Sequence, residues 1–276
     1  MDLTAIRGAI RELSGAFLAD MEALPAETWL QPSDCAGWTI GAAFIHVVQV
    51  AELLGDSIAR GRAGDAGPPP LAAAEGVQAW RAARTARQQQ ALQQTPAEVI
   101  AWYQKAVGAI DAELDAIPSA DPGAQGWHPI GAQSLAWVQD QWLFELALHD
   151  WDIRVALDPD AEVRPSVQSA FARTLPGRLG RGFSGGDDPA LVGTYRADLS
   201  GDDPFTIVMQ VGNGGVTCVD GDDDSTANVT IHTDPSAFGL VTTNRRPASR
   251  FVEAGRWQTT GDQARAEGFA RAFKSY

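Results

Sequence analysis

Apolar residues recur through the first half of the chain at steps of three and four. Leu3, Ile6, Ile10, Leu13, Phe17, Met21 and Leu24 draw one stripe along a helix that Pro25 ends. A second helix is predicted after Gly37-Trp38, with Thr39 as its N-cap. Its stripe runs Ile40, Ala43, Phe44, Val47, Val50, Leu54 and Ile58, and fades in Gly61-Arg62-Ala63-Gly64. GDAGPPP (64–70) reads as a loop. A polar, Ala- and Gln-rich helix is predicted at about 73–93, and another at about 96–117 behind Thr95-Pro96. PSADPGAQGWHPIG is a second long loop, and a further helix follows from about Gln133 to Ala156. Long helices joined in this way predict an up-down bundle of about four core helices.

Past a short helix near 165–175 the period changes to two. GTYRADLS, FTIVMQV, GVTCVDG and ANVTIHT are β-rich runs separated by GDD, GNGG and DGDDDS turns. Helical pieces at about 234–243 and 247–254, a short run RWQTT and a last helix from Asp262 complete the pattern. The prediction for this half is an α+β domain with an antiparallel sheet. Eight of the nine Trp residues precede position 158. That shift places the boundary at Leu157-Asp158-Pro159-Asp160, giving domains 1–158 and 159–276 and an α+β class for the whole chain.

Composition narrows the function. A formal net charge of -14 repels phosphate backbones, so nucleic acid is not expected as a partner. No uninterrupted apolar run approaches the roughly 20 residues of a membrane helix, and no signal-peptide pattern opens the chain, so no membrane partner is expected. Cys35 and Cys218 stand far apart, which argues against a disulfide framework and for a reducing compartment, the cytoplasm. The sequence leaves the oligomeric state open.

The candidate chemistry lies in SLAWVQDQWLFELALHDWDIRVAL. Glu145 and His149 are four apart, on one helix face, in line with Val138, Trp142 and Ile153. An ionised Glu in so apolar a stripe is costly unless it is paired or ligates a metal. His46 flanks the second helix's stripe beside Ala43, Val50 and Leu53. If the two helices are neighbours, two imidazoles and a carboxylate converge, a set that suits zinc or another first-row divalent ion and leaves a coordination position open. On spacing alone, a hydrogen-bonded helix pair and a packed core histidine explain these residues equally well.

Two motifs point further. WLQPSDCAGWTIGAAFIHVVQ and FELALHDWDI resemble the paired motifs of the mycothiol-dependent maleylpyruvate isomerase family, a branch of the DinB-like bundle superfamily. TTNRRPASRFVEAGRWQTTGD resembles the close of the sterol-carrier-type domain often appended to that bundle. The resemblance implies that His46, Glu145 and His149 are the metal ligands, with zinc expected first. It implies mycothiol or another low-molecular-weight thiol as cosubstrate and a small electrophile as substrate. The expected reaction is S-transfer or maleylpyruvate-type cis-trans isomerisation. It also matches Arg245 to an Arg credited with binding the thiol or the anionic substrate, although Arg246 is adjacent and a surface Arg at a helix end explains the position equally well. The rival reading is a metal-dependent regulator, or a carrier of a small apolar ligand, on the same fold.

Other residues carry weaker signals. Asp150 or Asp152 can accept a hydrogen bond from a ligating imidazole, but solvated helix-end acids are the commoner case. Cys35 is expected to be a small packed residue, His128 to line the mouth of a cleft, and His232 to be structural. The acidic run from Asp220 to Asp224 lacks the ligand spacing of a calcium loop and reads as a hairpin turn.

Overall fold

The computed structural model describes residues 3–212, 214–219 and 227–274, so the acidic run from Asp220 lies outside the described residues. The chain divides into two compact units, 1–164 and 165–276.

The first unit holds α1 (Leu3–Ala23), α2 (Ile40–Arg62), α3 (Pro70–Glu75), α4 (Val77–Ala91), α5 (Pro96–Ala116), β1 (Gln125–Gly126), β2 (Gln133–Ser134) and α6 (Leu135–Leu157). The four long helices α1, α2, α5 and α6 make the bundle, with α2 and α1 each packed on α5 and α6. The stripes read from the sequence are its core: Ile6, Ile10, Leu13, Phe17 and Met21 on α1 are all buried, as are Ile40, Phe44, Val47, Leu54 and Ile58 on α2. The Phe44 ring sits between those of Phe17 (5.2 Å) and Tyr103 (4.8 Å). Truncating a ring in such a cluster costs about 3–5 kcal/mol. Helix α2 is apolar enough over eighteen residues to cross a membrane by composition, with a mean hydropathy of 1.4, but 72% of that stretch is buried inside the protein.

Caps fix the helix starts. Thr39 accepts from the Ala42 amide, Ser134 from the Trp137 amide, and Thr95 with Glu98 forms a capping box. Two features depart from the sequence pattern. The helix expected at 73–93 is two helices, α3 and α4, because Gly76 adopts a φ of 88° that a helix cannot contain. The loop after α5 contains a small antiparallel hairpin, β1–β2. It lies on α2 at Gly126, where a Cβ would overlap the Ser57 hydroxyl. Residues beyond α6 are tied back to it: Trp151 Nε1 donates to the Ala161 carbonyl at 2.9 Å and Arg154 to that of Glu162 at 2.7 Å.

The second unit contains α7 (Gln168–Thr174), α8 (Leu179–Gly182), β3 (Gly193–Leu199), β4 (Phe205–Gly212), β5 (Gly215–Val219), β6 (Val229–Thr233), α9 (Pro235–Thr242), α10 (Ala248–Glu253), β7 (Trp257–Gly261) and α11 (Gln263–Arg271). Its sheet has the order β5-β4-β3-β6-β7. Three ladders are antiparallel, as expected, while β3 and β6 pair in parallel. That one ladder departs from the expected antiparallel pairing because β6 arrives beside β3 after a long connection rather than a tight hairpin.

Candidate metal centre

Helices α2 and α6 bring the three candidate ligands together. His46 Nε2 lies 3.6 Å from Glu145 Oε2, and His149 Nε2 lies 3.4 Å from the same oxygen. The three donor atoms all fall within 4.8 Å of one another. Ligands about 2.1 Å from a tetrahedral centre stand roughly 3.4 Å apart, so the spacing fits a first-row divalent ion. The second Glu145 oxygen, Oε1, accepts from Gln141 Nε2 at 2.7 Å, which leaves Oε2 facing the imidazoles. Trp38 covers the pair, its ring 4.9 Å from that of His46 and 6.1 Å from that of His149. The side chains of His46 and Glu145 keep 27% and 23% exposure, against 9% for His149, so the centre is open at His46 and Glu145 and closed at His149.

The far nitrogen of His149 is also held. Nδ1 lies 3.0 Å from Asp152 Oδ2, the carboxylate of a fully buried side chain. A proton on Nδ1 keeps the Nε2 lone pair directed at the centre. Asp152 is therefore the acid that orients the His149 ring, whereas Asp150 pairs with Arg154 at 2.9 Å and Arg164 at 2.8 Å. Cys35 departs from expectation. Its thiol donates to Asp152 Oδ2 at 3.0 Å and stands 3.5 Å from His149 Nδ1. The turn that carries it is pinned by the Asp34 amide donating to the Asp152 carbonyl at 3.0 Å. Cys35, His149 and Asp152 form a second close trio of donors, but on the Nδ1 side of the imidazole, where the Asp152 hydrogen bond already satisfies that nitrogen.

Electrostatics separate the three candidate ligands. Burial opposes ionisation of Glu145, yet its hydrogen bonds to His149 and His46 outweigh that and hold the carboxyl well below its usual range. Burial likewise opposes protonation of His149, but Asp152, Cys35 and Glu145 together hold its pKa well above the ordinary imidazole value. For His46 burial prevails over Glu145 and its pKa is lowered.

The centre opens into a cavity of about 330 Å³ lined by Trp38, His46, Trp80, Arg84, His128 and Glu145, among others. His128 thus lines the cavity, as its loop position suggests. Arg84 carries no signal in the sequence: an arginine on a polar, Ala-rich helix looks solvated. Arg245 lies in the second unit, half-buried in the turn after α9, with its amide donating to the Leu240 carbonyl at 2.8 Å. Its neighbour Arg246 lines that unit's cavity of about 1070 Å³, with Pro247, Val252, Trp257 and Ala270. His232, on β6, is half exposed and stands 3.5 Å from Asp198.

A family model described as the mycothiol maleylpyruvate isomerase N-terminal domain matches residues 10–154, more than half of the chain and the whole of the centre. The chain belongs to this family of enzymes. The family's defining domain is thus the first unit, and residues 189–274 match the SCP-2 sterol transfer family. The fold resembles a crystal structure of the mycothiol-dependent maleylpyruvate isomerase, with 12% identity and a TM-score of 0.63 over 100% of this chain and 98% of that one. A histidine-to-alanine variant of that isomerase gives 11% identity and a TM-score of 0.64 at the same coverage. At these identities the likeness is one of fold. No curated protein matches the chain by sequence.

Proposed function

We propose that the protein is a metal-dependent enzyme that uses a low-molecular-weight thiol, mycothiol first, either to isomerise a small electrophile or to transfer the thiol's sulfur onto it. The observation that carries this reading is the meeting of His46, Glu145 and His149, the first two of which line a cavity. His46 Nε2, Glu145 Oε2 and His149 Nε2 would hold the ion, zinc first, because two imidazoles and one carboxylate suit it and leave a position open. When bound, such an ion supplies a positive centre beside which a thiol loses its proton and becomes a nucleophile.

The residues of the chain do the rest. Glu145 supplies a negative charge to balance the ion. Asp152 holds a proton on His149 Nδ1 and fixes the ring. Trp38, Val50, Leu53 and Leu54 line the cavity beside the reacting atoms and limit water there. Arg245 enters by resemblance alone, as a cation for the thiol or an anionic substrate. Arg245→Ala should lower turnover with metal content unchanged. A reducing cytoplasm, where free thiols are abundant, goes with this reading.

The test is turnover of maleylpyruvate and of a chloro-nitroarene by the zinc-loaded protein with mycothiol, bacillithiol or glutathione. Thiol-dependent turnover that Glu145→Gln abolishes is expected. No thiol-dependent turnover of either compound with any of the three would refute the proposal. A second reading, a carrier, is favoured by the 1070 Å³ cavity of the second unit and by the match to the sterol transfer family. Saturable displacement of a fluorescent fatty acid from that unit, without thiol-dependent turnover, would favour it.

A further inference from the structure

Helix α4 carries Arg81, Arg84 and Arg87 at steps of three, and their surroundings differ. Arg87 has a counter-ion: Nη1 lies 2.6 Å from Glu52 Oε2, and Trp102 Nε1 donates to Glu52 Oε1 at 2.7 Å. Arg81 is exposed. Arg84 is half-buried, and among the described residues it has no ion-pair partner. The Glu52 carboxylate is committed to Arg87 and Trp102, and Glu145 to the two imidazoles. Burial brings the Arg84 pKa down to about 10 against the pull of Glu145 and Glu52, so the guanidinium stays charged at neutral pH.

This cation is also placed. Its Cζ lies 4.9 Å from the Trp80 ring centroid, and Trp80 in turn packs edge-on to Trp127 at 5.1 Å. Gln49 donates to the carbonyl of Arg84 itself at 3.3 Å. One turn on, Gln88 donates to the Ala42 carbonyl at 2.8 Å and ties α4 to α2. The Arg84 side chain thereby lines the same 330 Å³ cavity as His46 and Glu145. A half-buried charge without a counter-ion is unfavourable, and a planar guanidinium is best matched by a planar anion held through two hydrogen bonds.

We propose that Arg84 recognises a carboxylate on the molecule that occupies this cavity, so that the enzyme's ligands are carboxylate-bearing rather than neutral. The proposal rests on reading the cavity beside the metal centre as the reaction site. It distinguishes an anionic alkene from an uncharged arene among electrophiles, and the carboxylate belongs to either the electrophile or the thiol.

Calorimetry on the zinc-loaded full chain separates these. One pair of probes is maleate and its neutral diamide; the other is N-acetylcysteine and its amide. The parent should bind the carboxylate member of at least one pair roughly tenfold or more tightly than the neutral member. Arg84→Gln should abolish that preference, Arg84→Lys restore part of it, and Arg62→Gln, a change outside this cavity, leave it intact. The pair that responds identifies which ligand carries the carboxylate. A preference that survives Arg84→Gln, or a parent with none in either pair, overturns the proposal. Zinc content and circular dichroism of the same samples show separately whether the metal centre and the fold persist. If Arg84→Gln does not fold, a preference undiminished in Arg84→Lys overturns it equally.

Discussion

Glu145 shares one oxygen between two imidazoles, and removing its charge leaves their geometry in place. Glu145→Gln should therefore fold, with its α6 packing intact, yet lose metal affinity by at least the roughly 10–100-fold typical of changes one step further from an ion. Equilibrium dialysis of zinc measures this, and unchanged affinity would reduce Glu145 to a helix-face partner. Asp152→Asn tests the next layer: about 10–100-fold weaker zinc binding is expected, since an amide no longer favours a proton on His149 Nδ1. Metal binding also carries a pH signature. Glu145 is already ionised near neutrality and His46 already neutral, so neither competes with the ion. His149, held above the usual imidazole value, keeps a proton that the ion must displace. Apparent affinity should thus rise with pH through neutrality by roughly tenfold per unit, the slope of one released proton. Calorimetry in buffers of different ionisation enthalpy counts that proton; a flat profile would contradict the assignment. At this scale the three candidate ligands were legible because a Glu and a His interrupt one apolar stripe and a second His flanks another. Asp152 was legible only as one of two acids. Cys35 and Arg84 were not, because their contacts depend on a turn and a helix meeting α6 and α2 from far along the chain.

Among the elements, the long helices could be read because each has a period and a cap, and Thr39 and Thr95 stand where the pattern puts them. The β1–β2 hairpin could not: strands of two residues have no period to read. Its seat on α2 is nonetheless specific, since a Cβ at Gly126 would meet the Ser57 hydroxyl and backbone. Gly126→Ala should destabilise the first unit by about 1–3 kcal/mol, the range for overpacking, seen as a lower urea midpoint. An unchanged midpoint would mean that the hairpin does not press on α2. The break at Gly76 was hidden because Gly is tolerated within helices, and only its positive φ reveals the stop. The parallel ladder between β3 and β6 was likewise invisible: alternation reports which face of a strand is buried, not the direction in which it runs.

For the whole molecule, the compositional change near 158 marks the end of α6, while the first unit continues to Arg164. Arg164 is the reason to keep those residues together: with Arg154 it neutralises Asp150, whose side chain is buried. A fragment 1–164 should fold and bind zinc as the full chain does. Ending at 157 removes Arg164 and should lower the melting temperature, because breaking a buried pair leaves an uncompensated charge. A cobalt(II) titration of metal-free protein tests the proposed ligand set most directly. The parent and Arg84→Gln should saturate at one equivalent, with the strong visible absorption of low-coordinate cobalt. His46→Ala, Glu145→Gln and His149→Ala should show weak, non-stoichiometric binding. Saturation at one equivalent in the His46 and His149 variants, with the parent's affinity, would contradict it.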